Sequence, residues 1–275
     1  MLEPELWGKS TNFLANLHKQ HMSHLEKLIT WKDNESIFEF GIGDGTNTKQ
    51  TLLPILPQDY KEFIGSDISH EMIEFVQSNM SDTRSKFIKL DICSKNIPNE
   101  LLNRFDHIFS FCVMHWLQNT EQALKNLYEM LKPGGQMILT YVHETSADEV
   151  YDLLSHHPRW SEYNHKCFTS PYYKQKNICQ VYKALFSKAG FVEKYFEVDS
   201  KRSYKFEDKK MFEEFCLSVN PVLKKIPKED YEDYKAEYIK MMTNNKYNFT
   251  TVCSETEDIC YNTSFELNLV VLEKV

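Results

Sequence analysis

The stretch IFEFGIGDGTNTKQ, residues 37–50, constrains this chain more than any other. A short apolar run carries one acid, Glu39, and then meets glycines at alternate positions, Gly41, Gly43 and Gly45. Glycine opens the left-handed backbone region but costs order, so three in a five-residue window need a reason. The chain has only 8 glycines in 275 residues, so this cluster points to a ligand-binding turn rather than a casual loop. In an open α/β sheet such ligands sit outside the carboxyl ends of the strands.

The surrounding sequence supports a sheet of that kind. SIFEF (36–40), EFIGSD (62–67), SKFIKLDI (85–92), a segment within FDHIFSFCVMHWL (105–117) and QMILTYVH (136–143) read as strands. Helices are expected over 13–31, after the glycines up to Pro54, over 69–80 with Ser69 as N-cap, and over 120–135. Strands alternating with helices imply right-handed βαβ units and a parallel sheet covered on both faces. Residues 145–180 lose the rhythm and are rich in His, Tyr and Pro. A helix (180–191) and a strand (193–206) follow, then a helical region over 207–243 and a closing strand over 264–275. The expected organisation is one domain over 1–275. Its core is approximately 32–143, 180–206 and 262–275, with insertions at 145–179 and 207–260 forming a helical lid over the ligand edge.

A glycine-rich turn with an acid after the second strand suits a dinucleotide or S-adenosylmethionine. The dinucleotide fingerprint G-x-G-x-x-G needs a glycine at position 46, which is Thr46. Asp67, at a strand tip, suits ribose hydroxyls, and Asp91 lies where an adenine amino group would be read. Four segments in register, EFGIGDG, IGSD, KLDI and LKPGG, together resemble the class I S-adenosylmethionine-dependent methyltransferase family. That resemblance implies a Rossmann-like, mostly parallel seven-stranded sheet with an antiparallel last strand. It implies that Glu39, Gly41, Gly43 and Gly45 hold the methionine end of S-adenosyl-L-methionine, Asp67 and Ile68 the ribose side, and Asp91 with Ile92 the adenine.

A narrower resemblance rests on Lys9-Ser10, on FDHIFSFCVMHWL with its His115-Trp116 pair, and on FTSPYYK (168–174). These are similar to the insect juvenile hormone acid methyltransferases, which methylate the carboxyl group of a farnesoic-acid-like sesquiterpenoid. The implied partner is a small hydrophobic carboxylic acid, with His115 and Trp116 at the catalytic centre. That family has a Gln in its N-terminal helix region to hold the carboxylate. The aligned position is Ala15, leaving Asn16 or Gln20 as replacements. A carboxylic acid with a pKa of roughly 4–5 is already ionised at neutral pH and needs no general base. The Trp116 indole N–H suits one carboxylate oxygen. For a phenol or amine acceptor, His115 would be the candidate base. Trp160, Phe168, Tyr172 and Tyr173 lie in the irregular insertion and either line a tunnel for an apolar tail or pack the loop on the sheet.

Other classes fit less well. A net charge of −8 disfavours nucleic acid as a partner. The best apolar run, residues 108–117, is too short to span a bilayer, and the N-terminus lacks a signal-peptide pattern. Seven cysteines without a CxxC pair read as reduced thiols of a cytoplasmic protein, monomer or homodimer. His18, His21 and His24 drift around their helix instead of converging, so no metal is expected. The competing readings are a methyltransferase of an amine, phenol or other small metabolite, and a non-catalytic cofactor- or terpenoid-binding protein.

Overall fold

The computed structural model describes residues 4–80, 83–252 and 257–275. The side chains of 5, 6, 9–11 and 201 are also outside the description, including the Lys9-Ser10 pair. Strands β1 (Ser36–Phe40), β2 (Glu62–Asp67), β3 (Ser85–Lys89), β4 (Phe105–Phe111) and β5 (Leu131–Tyr141) run parallel. They share one sheet with β6 (Phe191–Lys205), β7 (Asn248–Val252) and β8 (Ile259–Lys274), in the order β3-β2-β1-β4-β5-β8-β6. β8 is antiparallel to both β5 and β6, the expected antiparallel last strand. Every residue of β1 is buried, as a central parallel strand requires.

Among the described residues the sheet has eight strands where seven were expected, and the eighth has a clear cause. β6 and β8 are 15 and 16 residues long and outrun the rest of the sheet. β7 pairs along the otherwise open start of β8, from Ile259 to Thr263. Two further departures come from glycine and proline. Helix α1 (Pro4–Leu25) begins nine residues before the expected start at 13, because its first turns pack on the glycine turn instead of an apolar core. Gly8 makes that approach possible: a Cβ there would lie 2.2 Å from Asp44 Oδ2. The helical region over 207–243 is split into α6 (Lys209–Ser218) and α7 (Tyr231–Thr243), with Pro221 and Pro227 between them.

Helices α2 (His70–Asn79), α3 (Thr120–Met130) and α5 (Ile178–Ala189) cover the sheet as expected, and Ser69 does cap α2, accepting from Met72 N. α3 and α5 bury Leu124, Leu127, Tyr182 and Phe186 on one face; α1 and α2 bury Met22, Leu25, Ile73 and Val76 on the other. A third apolar core joins α4 (Ser146–Leu154), α6 and α7 around Trp160, Phe206, Tyr234 and Tyr238. No helix among the described residues is long and apolar enough to cross a membrane.

Candidate active site

The tips of β1 and β2 build one half of the site. Gly41, Gly43 and Gly45 all have positive φ, +68°, +58° and +81°, a region that side chains resist. At Gly41 a Cβ would sit 2.2 Å from Val113 Cγ2, so the turn also lies directly against the chain leaving β4. Asp67 braces the turn from the next strand. Its Oδ2 accepts from Gly43 N at 3.0 Å and its Oδ1 from Ser69 N at 2.9 Å. Behind the turn the backbone winds wide over Thr48–Leu52, where a regular helix was expected. The Thr48 hydroxyl donates to Glu39 Oε2 at 2.7 Å. Burial pushes the Glu39 carboxyl up to about 8, against that hydrogen bond, and the nearby Asp67 adds to the rise. Burial also raises Asp67 and Asp44.

Beside this acidic cradle, Ile68 is 63% exposed, an apolar side chain left open at the tip of β2. Asp91 is exposed and accepts from Cys93 N at 2.9 Å. Ile92 differs from its neighbours: its side chain is buried in the core beneath α3, so only its backbone is available to a ligand. Trp7 of α1 covers the turn from above, its Nε1 3.5 Å from the Cβ position of Gly43.

The tips of β4 and β5 build the other half. After β4 the chain turns tightly through Met114–Trp116. His115 is buried and Trp116 half-buried, with ring centroids 5.0 Å apart. Burial drives His115 down to about 3, despite a hydrogen bond with the Val142 backbone, and its Nδ1 is buried with no partner among the described residues. His143, after β5, is lowered for the same reason. His18 reaches in from α1: its Nδ1 lies 3.0 Å from Thr140 Oγ1 and its Nε2 3.4 Å from Cys112 Sγ. It too is lowered to about 3 by burial.

The remaining sequence-derived positions are placed as follows. Asn16 and Gln20 are exposed, whereas Ala15 and His18 form the inward face of α1. Trp160 lies in the core of the helical layer, donating its Nε1–H to Glu237 Oε2 at 2.6 Å. Phe168 is half-buried against that same core, with Lys225 over its ring. Tyr172 packs edge-on to Tyr182 beside α5, and Tyr173 stacks with Lys174.

Residues 38–137 match the family model described as a methyltransferase domain. The chain is 29% identical over 246 residues to the juvenile hormone acid O-methyltransferase of Bombyx mori, covering 88% of this chain and 86% of that one. To the protein of the same name from Drosophila melanogaster it is 28% identical, covering 78% and 73%. Among solved structures, a putative methyltransferase from Bacillus halodurans superposes with a TM-score of 0.55 at 16% identity, covering 93% of this chain and 99% of that one. The chain carries a methyltransferase domain and has the class I methyltransferase fold. Its cofactor is S-adenosyl-L-methionine.

The residues of this methyltransferase fit that group. The donor carries an ammonium, a sulfonium and a ribose, and the cradle offers buried carboxyls, a glycine turn free of side chains and an open apolar residue at Ile68. Sequence reasoning did not bring His18 of α1 to Cys112 and Thr140 at the tips of β4 and β5. The available signal was the inward stripe Ala15, His18, Met22 and Leu25, at helical spacing on one face.

Proposed function

We propose that this enzyme transfers a methyl group to the carboxylate of a hydrophobic acid, of the farnesoic acid or juvenile hormone acid type, giving a methyl ester. Two relatives that match over most of the chain are named for juvenile hormone acid, and a third, at 25% identity over 83% of the chain, is named a malonyl-[acyl-carrier protein] O-methyltransferase. The observation that carries the reading is the state of the histidines beside the acceptor turn. Burial drives His18 and His115 to about 3, which makes each a weak base at neutral pH, and lowers His143 in the same direction. A phenol or amine acceptor needs a base; a carboxylate arrives ionised.

When bound, S-adenosyl-L-methionine supplies an electrophilic methyl on a positively charged sulfur. Glu39 and the glycine turn receive its methionine end; Asp67, Ile68, Asp91 and the Ile92 backbone receive its nucleoside. The Met114–Trp116 turn holds the acceptor. Trp116 donates its indole N–H to one carboxylate oxygen, and Val113 keeps that turn against Gly41, beside the cofactor. Placement carries the rate: well-oriented groups gain roughly 7–11 kcal/mol over a random encounter. The layer containing α4, α6 and α7 keeps water from an anion that is losing its charge, which favours the transition state. Phe168, half-buried against that layer with Trp160 in its core, and Tyr172, half-buried beside α5, are the tail-lining side chains. The six described cysteines are free thiols, in keeping with a cytoplasmic enzyme.

The test is incubation with labelled cofactor and a panel of lipophilic acids, with farnesoic acid first. A methyl ester is expected, and Trp116→Phe should lower kcat/KM for it by about tenfold without changing cofactor affinity, the loss of one hydrogen bond to a charged group. Turnover of phenols or amines but of no acid overturns the proposal.

A further inference from the structure

We infer that His18 is a positioning residue for the acceptor turn, acting on His115 and Trp116 through Cys112. The inference rests on the methyltransferase reading but not on which acid is esterified.

The structure gives each link. His18 is fully buried, and its ring lies 5.4 Å from that of Phe111, the last residue of β4, tilted by 53°. Burial keeps its imidazole neutral, so one ring nitrogen donates and the other accepts. Cys112 follows Phe111 in a left-handed conformation, φ +55°, which a non-glycine residue holds only when its surroundings fix it. Its amide donates to Thr140 O at 2.7 Å. Its thiol stays protonated, pushed up to about 12 by burial, while the Val142 backbone hydrogen-bonds to its sulfur. Cys112 Sγ lies 3.4 Å from His18 Nε2 and Thr140 Oγ1 lies 3.0 Å from His18 Nδ1; the inferred tautomer is the one in which Nε2 accepts from the S–H and Nδ1–H donates to Thr140. Beyond Cys112 the connection is the chain itself, through Val113 to the buried His115, whose Nδ1 has no partner among the described residues.

The purpose follows from what hangs on the strained residue. Val113, next in the chain, is the side chain packed against Gly41, and His115 and Trp116 come directly after. A shift at Cys112 moves the acceptor turn relative to the cofactor turn without altering either one internally. Misplacement by about 1 Å costs up to ~100-fold in rate, so the effect belongs in kcat. Among the described residues, the side-chain hydrogen bonds of Glu39 and Asp67 go to Thr48, Gly43 and Ser69 and not to His18, Cys112 or His115, so cofactor affinity should be left alone.

The experiment is a double-mutant cycle in the full-length enzyme. His18→Ala and Cys112→Ala should each lower kcat by about 10- to 100-fold. The double variant should be no slower than the worse single variant, because both cut the same connection. Cofactor affinity by calorimetry should stay within about twofold, and His18→Asn, which keeps a donor and an acceptor, should recover part of kcat. A readout independent of any acceptor is the infrared S–H stretch of Cys112, assigned by its loss in Cys112→Ala. It should move toward the free-thiol position in His18→Ala. If the stretch does not move, if the two losses multiply, or if cofactor affinity falls along with kcat, the inference fails. A wild-type enzyme that esterifies no acid would instead count against the proposed acceptor, leaving the thiol measurement to decide this connection.

Discussion

The tips of β1–β3 and the tips of β4–β5 lie along one edge of one sheet, yet they are furnished with opposite chemistry. The first carries acids, Glu39, Asp44 and Asp67, all raised. The second carries histidines, His18, His115 and His143, all lowered. The principal cause is the same in all six, desolvation by burial. Each half therefore tends toward its neutral form until a ligand brings charge. The cofactor brings positive charge to the acids. The proposed acceptor brings its own negative charge to the histidine half, which needs to place it and not to ionise it. Cofactor binding should accordingly respond to pH, and the transfer step should not.

The largest expected effect separates the halves by geometry. Gly41→Ala introduces a Cβ 2.2 Å from Val113 Cγ2 at a φ of +68°, so the two halves cannot keep their contact. The αL penalty alone is roughly 1–2 kcal/mol, and the clash adds more. Cofactor affinity should fall by more than about 100-fold, and methyl transfer with it, measured by calorimetry and product formation. A variant that binds normally would break the claim that the glycine turn and the β4 exit are one fitted unit.

Next comes Asp67→Ala. It removes an acceptor from both Gly43 N and Ser69 N, and with it the proposed ribose contacts. Hydrogen bonds to a charged group are worth roughly 1.5–3 kcal/mol, so cofactor affinity should weaken by about 30-fold or more. Turnover at saturating cofactor should fall much less. An equal loss in both would show that the acid supports the acceptor half as well.

Glu39 gives the third effect and tests the charge argument directly. Its carboxyl stands at about 8 in the folded protein against an ordinary value of 4.5, so folding favours the protonated form. The sign follows: stability of the ligand-free protein falls as pH rises through that window, because ionising Glu39 in place is unfavourable. Receiving an ammonium reverses the preference. Cofactor affinity should rise by up to about tenfold per pH unit between pH 6 and 8, with proton release visible in calorimetry across buffers of different ionisation enthalpy. Glu39→Gln should abolish both slopes. Affinity flat across that range would place the ammonium elsewhere.

The two halves were not equally legible in the sequence. The cofactor half is local: Gly41, Gly43 and Gly45 adjoin their strand, and Ser69 and Asp67 are two residues apart. Short-range backbone rules find such features. The acceptor half is assembled across the chain. His18 meets Cys112 94 residues away and Thr140 122 residues away, and no local pattern announces either contact. Trp160 reads as a tunnel residue because its segment is irregular, but Glu237, 77 residues on, claims its indole. Asn16 and Gln20 were chosen for their chemistry beside Ala15, and helical geometry turns them outward. The strand β7 has β-branched residues in NFTTV, but its partner β8 outgrows the sheet in a way that only the assembled fold reveals.

The smallest expected effect is an absence, and it is the most demanding of the comparison. With cofactor and acid saturating, kcat should vary by less than about twofold between pH 6.5 and 9. Within the acceptor half, His18 and His115 titrate near 3 and Cys112 near 12, all outside that window. Burial lowers His143 in the same direction. Glu39 lies inside it, but a bound ammonium holds it ionised, so its titration appears in cofactor affinity and disappears at saturation. A carboxylate acceptor adds nothing, since its own titration is complete by about pH 6. A rising limb in kcat would mean that a proton leaves in the rate-limiting step. The acceptor half would then hold a working base, and the contrast between its histidines and the acids across the edge would no longer describe how the reaction is divided.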